Sequence, residues 1–104
     1  MSVTVTHHPE SGQFVAESDS LQAGHIDYEQ RDGDVALLHT VVDPAFEGQG
    51  VGSALAREAF ATASRQGWGV LPYCSFLQAY VRRHAECLDL VPADRRDEFS
   101  LVDV

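Results

Sequence analysis

The segment from Val41 to Ser53 constrains the fold most, because three glycines in five residues separate two different hydrophobic periods. Before these glycines, apolar residues lie on both faces of the run from Val35 to Val42, as in a central strand covered from both sides. After them, apolar residues recur at every fourth position, at Val51, Leu55, Ala59 and Ala63. This period predicts an amphipathic helix that ends at Gly67. A strand, a glycine turn and a helix must therefore follow one another directly.

The residues before Val35 predict an antiparallel meander. Val3 to His8 and Phe14 to Ala16 have strand patterns separated by Pro9 to Gly12, which supplies turn chemistry. Gly24 to Gln30 alternates apolar and polar side chains, the pattern of a half-buried strand. Asp32-Gly33 then predicts a tight hairpin turn, since glycine tolerates positive φ. Four antiparallel strands thus precede the helix.

The residues after Gly67 predict a short strand over Trp68 to Tyr73 and a second helix that runs to about His84. Ser75 and Gln78 have the spacing of a capping box at the start of this helix. Leu88 to Val91 is expected to form an edge strand or extended segment. The order ββββ-α-β-α predicts an α+β fold, a mostly antiparallel mixed sheet flanked by two helices. We expect one domain over residues 1–91 and a polar, mobile tail over 92–104.

Charge and composition narrow the function classes. Seven basic residues against sixteen acidic ones give a net charge of −9, which disfavours nucleic acid as a partner. No apolar run is long enough to cross a membrane and no secretory signal is visible, so we expect a cytoplasmic protein. Cys74 and Cys87 are then expected to be free thiols.

The glycine turn predicts an anion site, because the first N–H groups of a helix lack intrahelical partners and carry the positive end of its dipole. Two common phosphate loops do not fit. A Walker loop requires Lys before its Ser or Thr, whereas Ser53 follows Gly52 directly. A dinucleotide fingerprint requires a parallel sheet and differently spaced glycines.

The remaining pattern, x-x-G-x-G after a fourth strand, resembles the GCN5-related N-acetyltransferases, in particular their minimal single-domain branch. The resemblance covers the chain from the first strand to Val91. Three further segments carry it: His39 to Val42, Pro72 to Phe76 and Tyr80 to His84. It implies acetyl-CoA as acyl donor and no metal cofactor. The fourth and fifth strands are implied to splay apart around pantetheine, which pairs with the backbone of Val41 and Val42. The pyrophosphate is implied to lie on backbone amides of the loop and helix start: Gln49, Gly50, Val51, Gly52 and Ser53.

The resemblance also suggests that Tyr80 lies near the pantetheine and that Arg83 reaches a phosphate, although packing and solvation are the ordinary roles of such residues. Glu47 departs from the family pattern, which usually has Arg or Gln three residues before Gly50. The two helices that larger relatives insert after the first strand are absent, because Thr6 to Ser20 is expected to form a hairpin. The identity of the acyl acceptor therefore cannot be inferred from the resemblance.

Cys74 and His39 are the candidate catalytic residues. Cys74 precedes a helix, whose dipole lowers a thiol pKa. The resemblance implies that it lies near the thioester, where it could accept the acyl group or protonate the leaving thiolate. A buried, inert thiol is the alternative. His39, expected on the same face as Leu37 and Val41, could take a proton from an incoming amine or could be a satisfied core histidine. The histidines and cysteines show no metal-ligand spacing.

Three functions remain open. The first is an N-acyltransferase, most simply acetyl transfer to a primary amine of a small molecule or protein, directly or through an acyl-Cys74 enzyme. The second is a non-catalytic module that binds CoA or acetyl-CoA as a sensor or partner domain. The third is an interaction protein in which the glycines serve only a turn.

Overall fold

The computed structural model describes residues 2–101. A five-stranded sheet has the order β1-β2-β3-β4-β5, with the first four strands antiparallel and β5 parallel to β4. Its strands are β1 (Thr4–His8), β2 (Gln13–Ser18), β3 (Leu21–Arg31), β4 (Asp34–Val42) and β5 (Gly69–Pro72). The helices are α1 (Val51–Gln66), α2 (Ser75–Arg83) and α3 (Ala85–Leu88), and two 3-10 segments cover Pro44–Phe46 and Ala93–Phe99. The α+β class and element order predicted from the sequence are confirmed.

Helix α1 forms because its apolar residues share one face, and it crosses from the end of β4 to the start of β5. Leu55 and Ala56 are fully buried in the core that this helix shares with the sheet. The helix ends at Gly67, whose φ of 73° is the predicted left-handed cap. The β3–β4 hairpin likewise turns where predicted, with Asp32 at φ 38° and Gly33 at φ 87°.

Strand β4 contains a β-bulge that the sequence pattern does not reveal. Asp27 lies opposite His39 while the next residue, Tyr28, lies opposite Leu37, so Leu38 is an extra residue in β4. Residues on opposite sides of this bulge no longer follow simple alternation. The predicted sharing of faces along β4 therefore fails at Leu38.

Two details after β5 differ from the prediction. The Ser75–Gln78 capping box is wrong: the N-cap is Cys74, no side chain caps the helix, and Gln78 Nε2 donates to Pro72 O at 3.0 Å. The extended segment predicted at Leu88 to Val91 is partly the helix α3, and only one backbone bond, from Val70 N to Leu90 O at 2.8 Å, ties it to β5.

Residues 93–101 pack against the domain, contrary to the expected mobile tail, whose last residues, 102–104, lie outside the described residues. Phe99 is 2% exposed and Leu101 5% exposed, and both belong to the core. Phe99 packs edge-on against the Tyr73 ring at 5.0 Å, and Arg96 donates hydrogen bonds to the carbonyls of Leu88 and Val91. These two buried residues lie in a largely polar run and were too few to show this in the sequence. The packed core extends from the sheet to Leu101.

Candidate active site

The glycines of the turn have two different structural roles. Gly48 and Gly50 have φ of 82° and 79°, a conformation that side chains strain, and a Cβ at either would meet no atom within 4 Å. Gly52 has ordinary helical backbone, but its Cβ would lie 2.8 Å from Cζ of Phe76. The first two glycines therefore shape the turn, while Gly52 lets α2 approach α1.

The start of α1 offers unpaired backbone donors. The first α-helical bond runs from Ala54 N to Gly50 O at 3.0 Å, so the N–H groups of Val51, Gly52 and Ser53 precede the hydrogen-bonded ladder. No side chain caps this end and its first turn has no acidic residue. These amides border a cleft of about 240 Å³, which Phe46, Glu47 and Phe76 help to line. This arrangement suits an anion.

Two residues around this cleft qualify the sequence prediction. Glu47 is exposed and lines the cleft, so its carboxylate opposes an anion at the same place. Gln49 is exposed and lies outside the set of residues that line the cleft. The donors of the site are therefore the helix amides after Gly50.

The second half of β4 has a free edge. The pairing of β4 with β5 ends at Leu37 opposite Pro72, and the last bond between them runs from Tyr73 N to Leu37 O at 3.0 Å. The residues from Leu38 to Val42 keep β3 as a neighbour on one side only. Asp43 N donates to Ala23 O at 2.8 Å, so strand alternation also points the backbone groups of Val41 toward β3. The backbone groups of Val42 point to the free side, where they can pair with an extended ligand.

Cys74 lies across this gap from β4, at the N-cap of α2, and is half-buried. Burial acts to raise the pKa of its thiol. The Thr40 hydroxyl and the backbone N–H groups of Leu77 and Phe76 lie near the sulfur without forming aligned hydrogen bonds to it. Their favourable interaction with a thiolate outweighs burial, and the net effect lowers the pKa. The thiolate is therefore favoured by its surroundings.

Thr40 is a residue that sequence reasoning missed. Its Oγ1 is buried and has no well-aligned hydrogen-bond partner among the described residues. A thiolate at Cys74 is the acceptor to which this hydroxyl would donate. A buried hydroxyl without a partner costs about 1–3 kcal/mol, which is unusual in a core. Only the bulge at Leu38 brings Thr40 onto the face of Cys74, so the sequence held no usable signal.

The structure corrects the predicted position of His39. Leu37 and Thr40 lie opposite Tyr28 and Ile26, which share one face of β3, while His39 lies opposite Asp27 on the other face. His39 is exposed, which contradicts a core histidine. It still shares its face with Val41, as predicted, but not with Leu37. His39 and Cys74 are consequently on opposite sides of β4.

Tyr80 and Arg83 are not part of the cleft at the start of α1. Tyr80 is 6% exposed and is stacked between Phe60, at a ring-centroid distance of 5.7 Å, and His84, at 4.1 Å. Burial raises the pKa of its hydroxyl. Arg83 is exposed at the end of α2. Their roles toward a cofactor remain predictions from the resemblance.

Two other features bear on the class of site. Cys87 is buried, and burial raises the pKa of its thiol, which favours the unreactive form. Among residues 2–101, no three His, Cys, Asp or Glu side chains are grouped to hold a metal ion. In the same range, no helix is both long and apolar enough to span a bilayer.

The family profile described as GCN5-related N-acetyl-transferase matches residues 13–90 of the chain. Ard1 from Thermoplasma volcanium matches with a TM-score of 0.52 and 28% identity over 58% of this chain, which spans 40% of that protein. A GCN5-like protein from Staphylococcus aureus matches with a TM-score of 0.66 and 20% identity, over 86% of this chain and 87% of that one. The second likeness concerns the fold. No curated protein matches the chain.

Proposed function

Because the chain belongs to the GCN5-related N-acetyltransferase family, we propose that it transfers the acetyl group of acetyl-CoA to a primary amine. The observation that carries this proposal is that three features of the structure border the same gap. The uncapped start of α1, the free edge of β4 and the half-buried Cys74 all border the gap that opens beyond Leu37 and Pro72. We infer that the protein acts in the cytoplasm, where its thiols stay reduced.

The residues present fit the donor. The amides of Val51, Gly52 and Ser53 would hold the pyrophosphate, and the free backbone groups of Val42 would pair with the amide groups of pantetheine, which would run beside Val41. Bound acetyl-CoA would supply an activated thioester. Binding through backbone N–H groups needs no basic patch, which is consistent with a net charge of −9.

Cys74 has two chemical roles open to it in this proposal. A neutral thiol would donate its proton to the departing CoA thiolate during direct attack by the amine. A thiolate would instead accept the acetyl group and pass it to the amine. The lowered pKa of Cys74 favours the second role. Thr40 would act as a positioning residue, since its hydroxyl would donate to a thiolate at this sulfur.

His39 is the group best placed to accept the proton of an amine that arrives on the other face of β4. It is exposed and lies opposite Asp27, a carboxylate that accepts a hydrogen bond from Gln13 at 2.9 Å. In this arrangement the amine and the helix amides would approach β4 from opposite sides. The acceptor itself is expected to carry a neutral amine when it attacks.

The central experiment measures binding and turnover separately. Isothermal titration with CoA and acetyl-CoA is expected to show saturable binding, and a thiol-detecting reagent is expected to show CoA release that depends on an added amine. Cys74→Ala is expected to abolish release while binding changes by no more than a few-fold. Cys87→Ala is the matched control, because this buried thiol has a raised pKa.

Intact-protein mass spectrometry distinguishes the two routes. Without an amine, acetyl-CoA should add one acetyl group to the wild-type chain and none to Cys74→Ala if Cys74 carries the group. All seven basic residues are arginine, so lysine acetylation cannot mimic this result. Full turnover by Cys74→Ala would remove Cys74 from the mechanism. Binding without turnover on any amine would favour the CoA-binding module.

The anion site has its own test. Ser53→Asp places a carboxylate in the first turn of α1, which suits the helix dipole but repels pyrophosphate. We expect an unchanged or higher melting temperature and roughly tenfold weaker CoA binding, the scale of a lost charge-assisted interaction. Ser53→Ala, which adds no charge, should bind almost as the wild type does. Equal CoA affinity in the Asp variant would refute the site.

A further inference from the structure

The turn that carries Cys74 is held by neighbouring elements on both sides of that residue. Tyr73 N donates to Leu37 O of β4 at 3.0 Å, at the point where β4 and β5 part. Gln78 Nε2 reaches back from α2 and donates to Pro72 O at 3.0 Å. The backbone of this turn is therefore fixed between β4 and α2, and the position of the thiol depends on it.

A third element, the 3-10 segment Ala93–Phe99, holds the Tyr73 side chain. Arg95 Nη2 donates to the Tyr73 hydroxyl at 3.0 Å, and Arg95 Nε donates to Glu98 Oε1 at 2.7 Å. The Phe99 ring, which is 2% exposed, packs edge-on against the Tyr73 ring at a centroid distance of 5.0 Å. The Arg95 guanidinium thus joins the 3-10 segment to the turn.

Arg31 of β3 adds a contact from the sheet to the same ring. Its guanidinium carbon lies 5.6 Å from the centroid of the Tyr73 ring, and its Nε donates to Glu29 Oε1 at 3.0 Å. Tyr73 is nevertheless 37% exposed, so burial alone does not fix the orientation of its side chain. Directed contacts with two arginines and one aromatic edge fix it instead.

The 3-10 segment is itself anchored to the domain. Arg96 donates from Nε to Val91 O at 3.0 Å and from Nη2 to Leu88 O at 2.9 Å. Leu101, two residues after Phe99, is 5% exposed and belongs to the core. Because the segment is packed in this way, the guanidinium next to Arg96 in the chain has a fixed support.

The exact position of the Cys74 sulfur matters because its surroundings act over short distances. The Thr40 hydroxyl and the N–H groups of Phe76 and Leu77 lie near the sulfur and lower the pKa of the thiol. Their interaction with a thiolate weakens steeply with distance and misalignment, so a small movement of the turn would reduce it. A side chain held beside Cys74 from outside the turn can therefore set the reactivity of the sulfur.

We propose that Tyr73 is a positioning residue for Cys74 and that Arg95 acts on the thiol through it. The segment Ala93–Phe99 then serves the site as well as the core. The consequence for acetyl transfer rests on the proposed function, whereas the reactivity of the Cys74 thiol can be measured without acetyl-CoA.

The test follows alkylation of Cys74 by iodoacetamide across pH in chains that also carry Cys87→Ala. Tyr73→Phe keeps the ring and removes the hydroxyl that accepts from Arg95, and Arg95→Gln removes the guanidinium instead. Each variant is expected to shift the alkylation profile to higher pH, with a rate at neutral pH that falls roughly threefold, the scale of one lost hydrogen bond. Arg95→Lys, which keeps a donor, should restore most of the rate.

The double variant shows whether the two residues act as a unit. If Arg95 acts through the Tyr73 hydroxyl, Arg95→Gln should cause no further shift in a chain that already carries Tyr73→Phe. Arg65→Gln is the matched control, because Arg65 also pairs with a glutamate, Glu58 at 3.3 Å, but lies on α1. It should leave the profile unchanged. CoA affinity, measured by isothermal titration, should stay the same in all these chains.

Circular dichroism would show that each variant is folded. An unchanged alkylation profile in folded Tyr73→Phe and Arg95→Gln would overturn the inference and leave the proposed function intact. A full second shift in the double variant would also overturn it, because the arginine would then act on the sulfur through its charge. The expected shifts in a chain that never releases CoA from acetyl-CoA would support the inference and refute the proposed acetyl transfer.

Discussion

The two halves of β4 differ in almost every physical property. Asp34 to Leu37 pair with β3 on one side and β5 on the other, and three of these four residues are buried. His39 to Val42 pair with β3 alone, Leu38 is the extra residue of the bulge, and none of these five residues is fully buried. Val41 is even 46% exposed, although its type and spacing resemble those of Val35, which is 1% exposed.

This contrast shows how one strand can both hold the core and form a site. The bulge at Leu38 separates the two tasks, because it changes which side chains share a face while pairing with β3 continues on both sides of it. Loss of β5 as a neighbour leaves backbone groups unpaired, a cost that a bound ligand would offset. The first half is therefore expected to control stability and the second half to control reactivity.

The largest expected effect is on stability in the first half. Leu37→Ala removes a side chain that is 0% exposed, and we expect it to lower the free energy of unfolding by about 2–5 kcal/mol. Val41→Ala, its counterpart in the second half, should change it by about 0.5 kcal/mol or less. Urea unfolding followed by circular dichroism measures both. Similar losses for the two variants would break the contrast.

The next effect is on the reactivity of Cys74. Thr40→Val keeps the shape of the side chain but removes the hydroxyl that lowers the pKa of the thiol. The pH profile of alkylation at Cys74 should therefore shift to higher pH, with a rate at neutral pH that falls roughly fivefold or more. Both proteins would also carry Cys87→Ala, so that Cys74 is the thiol whose alkylation is measured.

Ser18→Ala is the control for this shift, because Ser18 is the other buried hydroxyl without a partner in residues 2–101. Removing it should leave the alkylation profile unchanged. The lowered pKa of the Cys74 thiol also affects stability. It adds stability at pH values above the pKa of the thiol in the unfolded chain, and this contribution is lost as the pH falls through the pKa in the folded protein. An unchanged profile in Thr40→Val would mean that the hydroxyl does not act on the sulfur.

The smallest effect is expected at His39. Because this side chain is exposed and faces away from Cys74, His39→Ala should change the free energy of unfolding by about 0.5 kcal/mol or less. It should also leave the alkylation rate of Cys74 unchanged at every pH. Only turnover with an amine should fall. A changed alkylation profile would show that the two residues are coupled across the strand.

Sequence periodicity predicted the elements that make up the sheet and α1, because burial of a continuous apolar face sets a regular repeat. It failed where a local irregularity decides orientation, as at Leu38, and where a few buried residues lie in a polar run, as at Phe99 and Leu101. The capping box at Ser75 failed for a related reason. Its spacing was right, but Gln78 is engaged with the Pro72 carbonyl.

The sequence by itself determined the element order, the glycine turn and the position of a thiol before α2, since each follows from local pattern and backbone conformation. Only the tertiary structure decided that Thr40 faces Cys74, that His39 faces away, and that a second cavity lies between α1 and α2 beside Arg57. These facts depend on one extra residue in a ladder and on the packing of α2 against Gly52. Both arise from contacts between segments far apart in the chain, which no local period encodes.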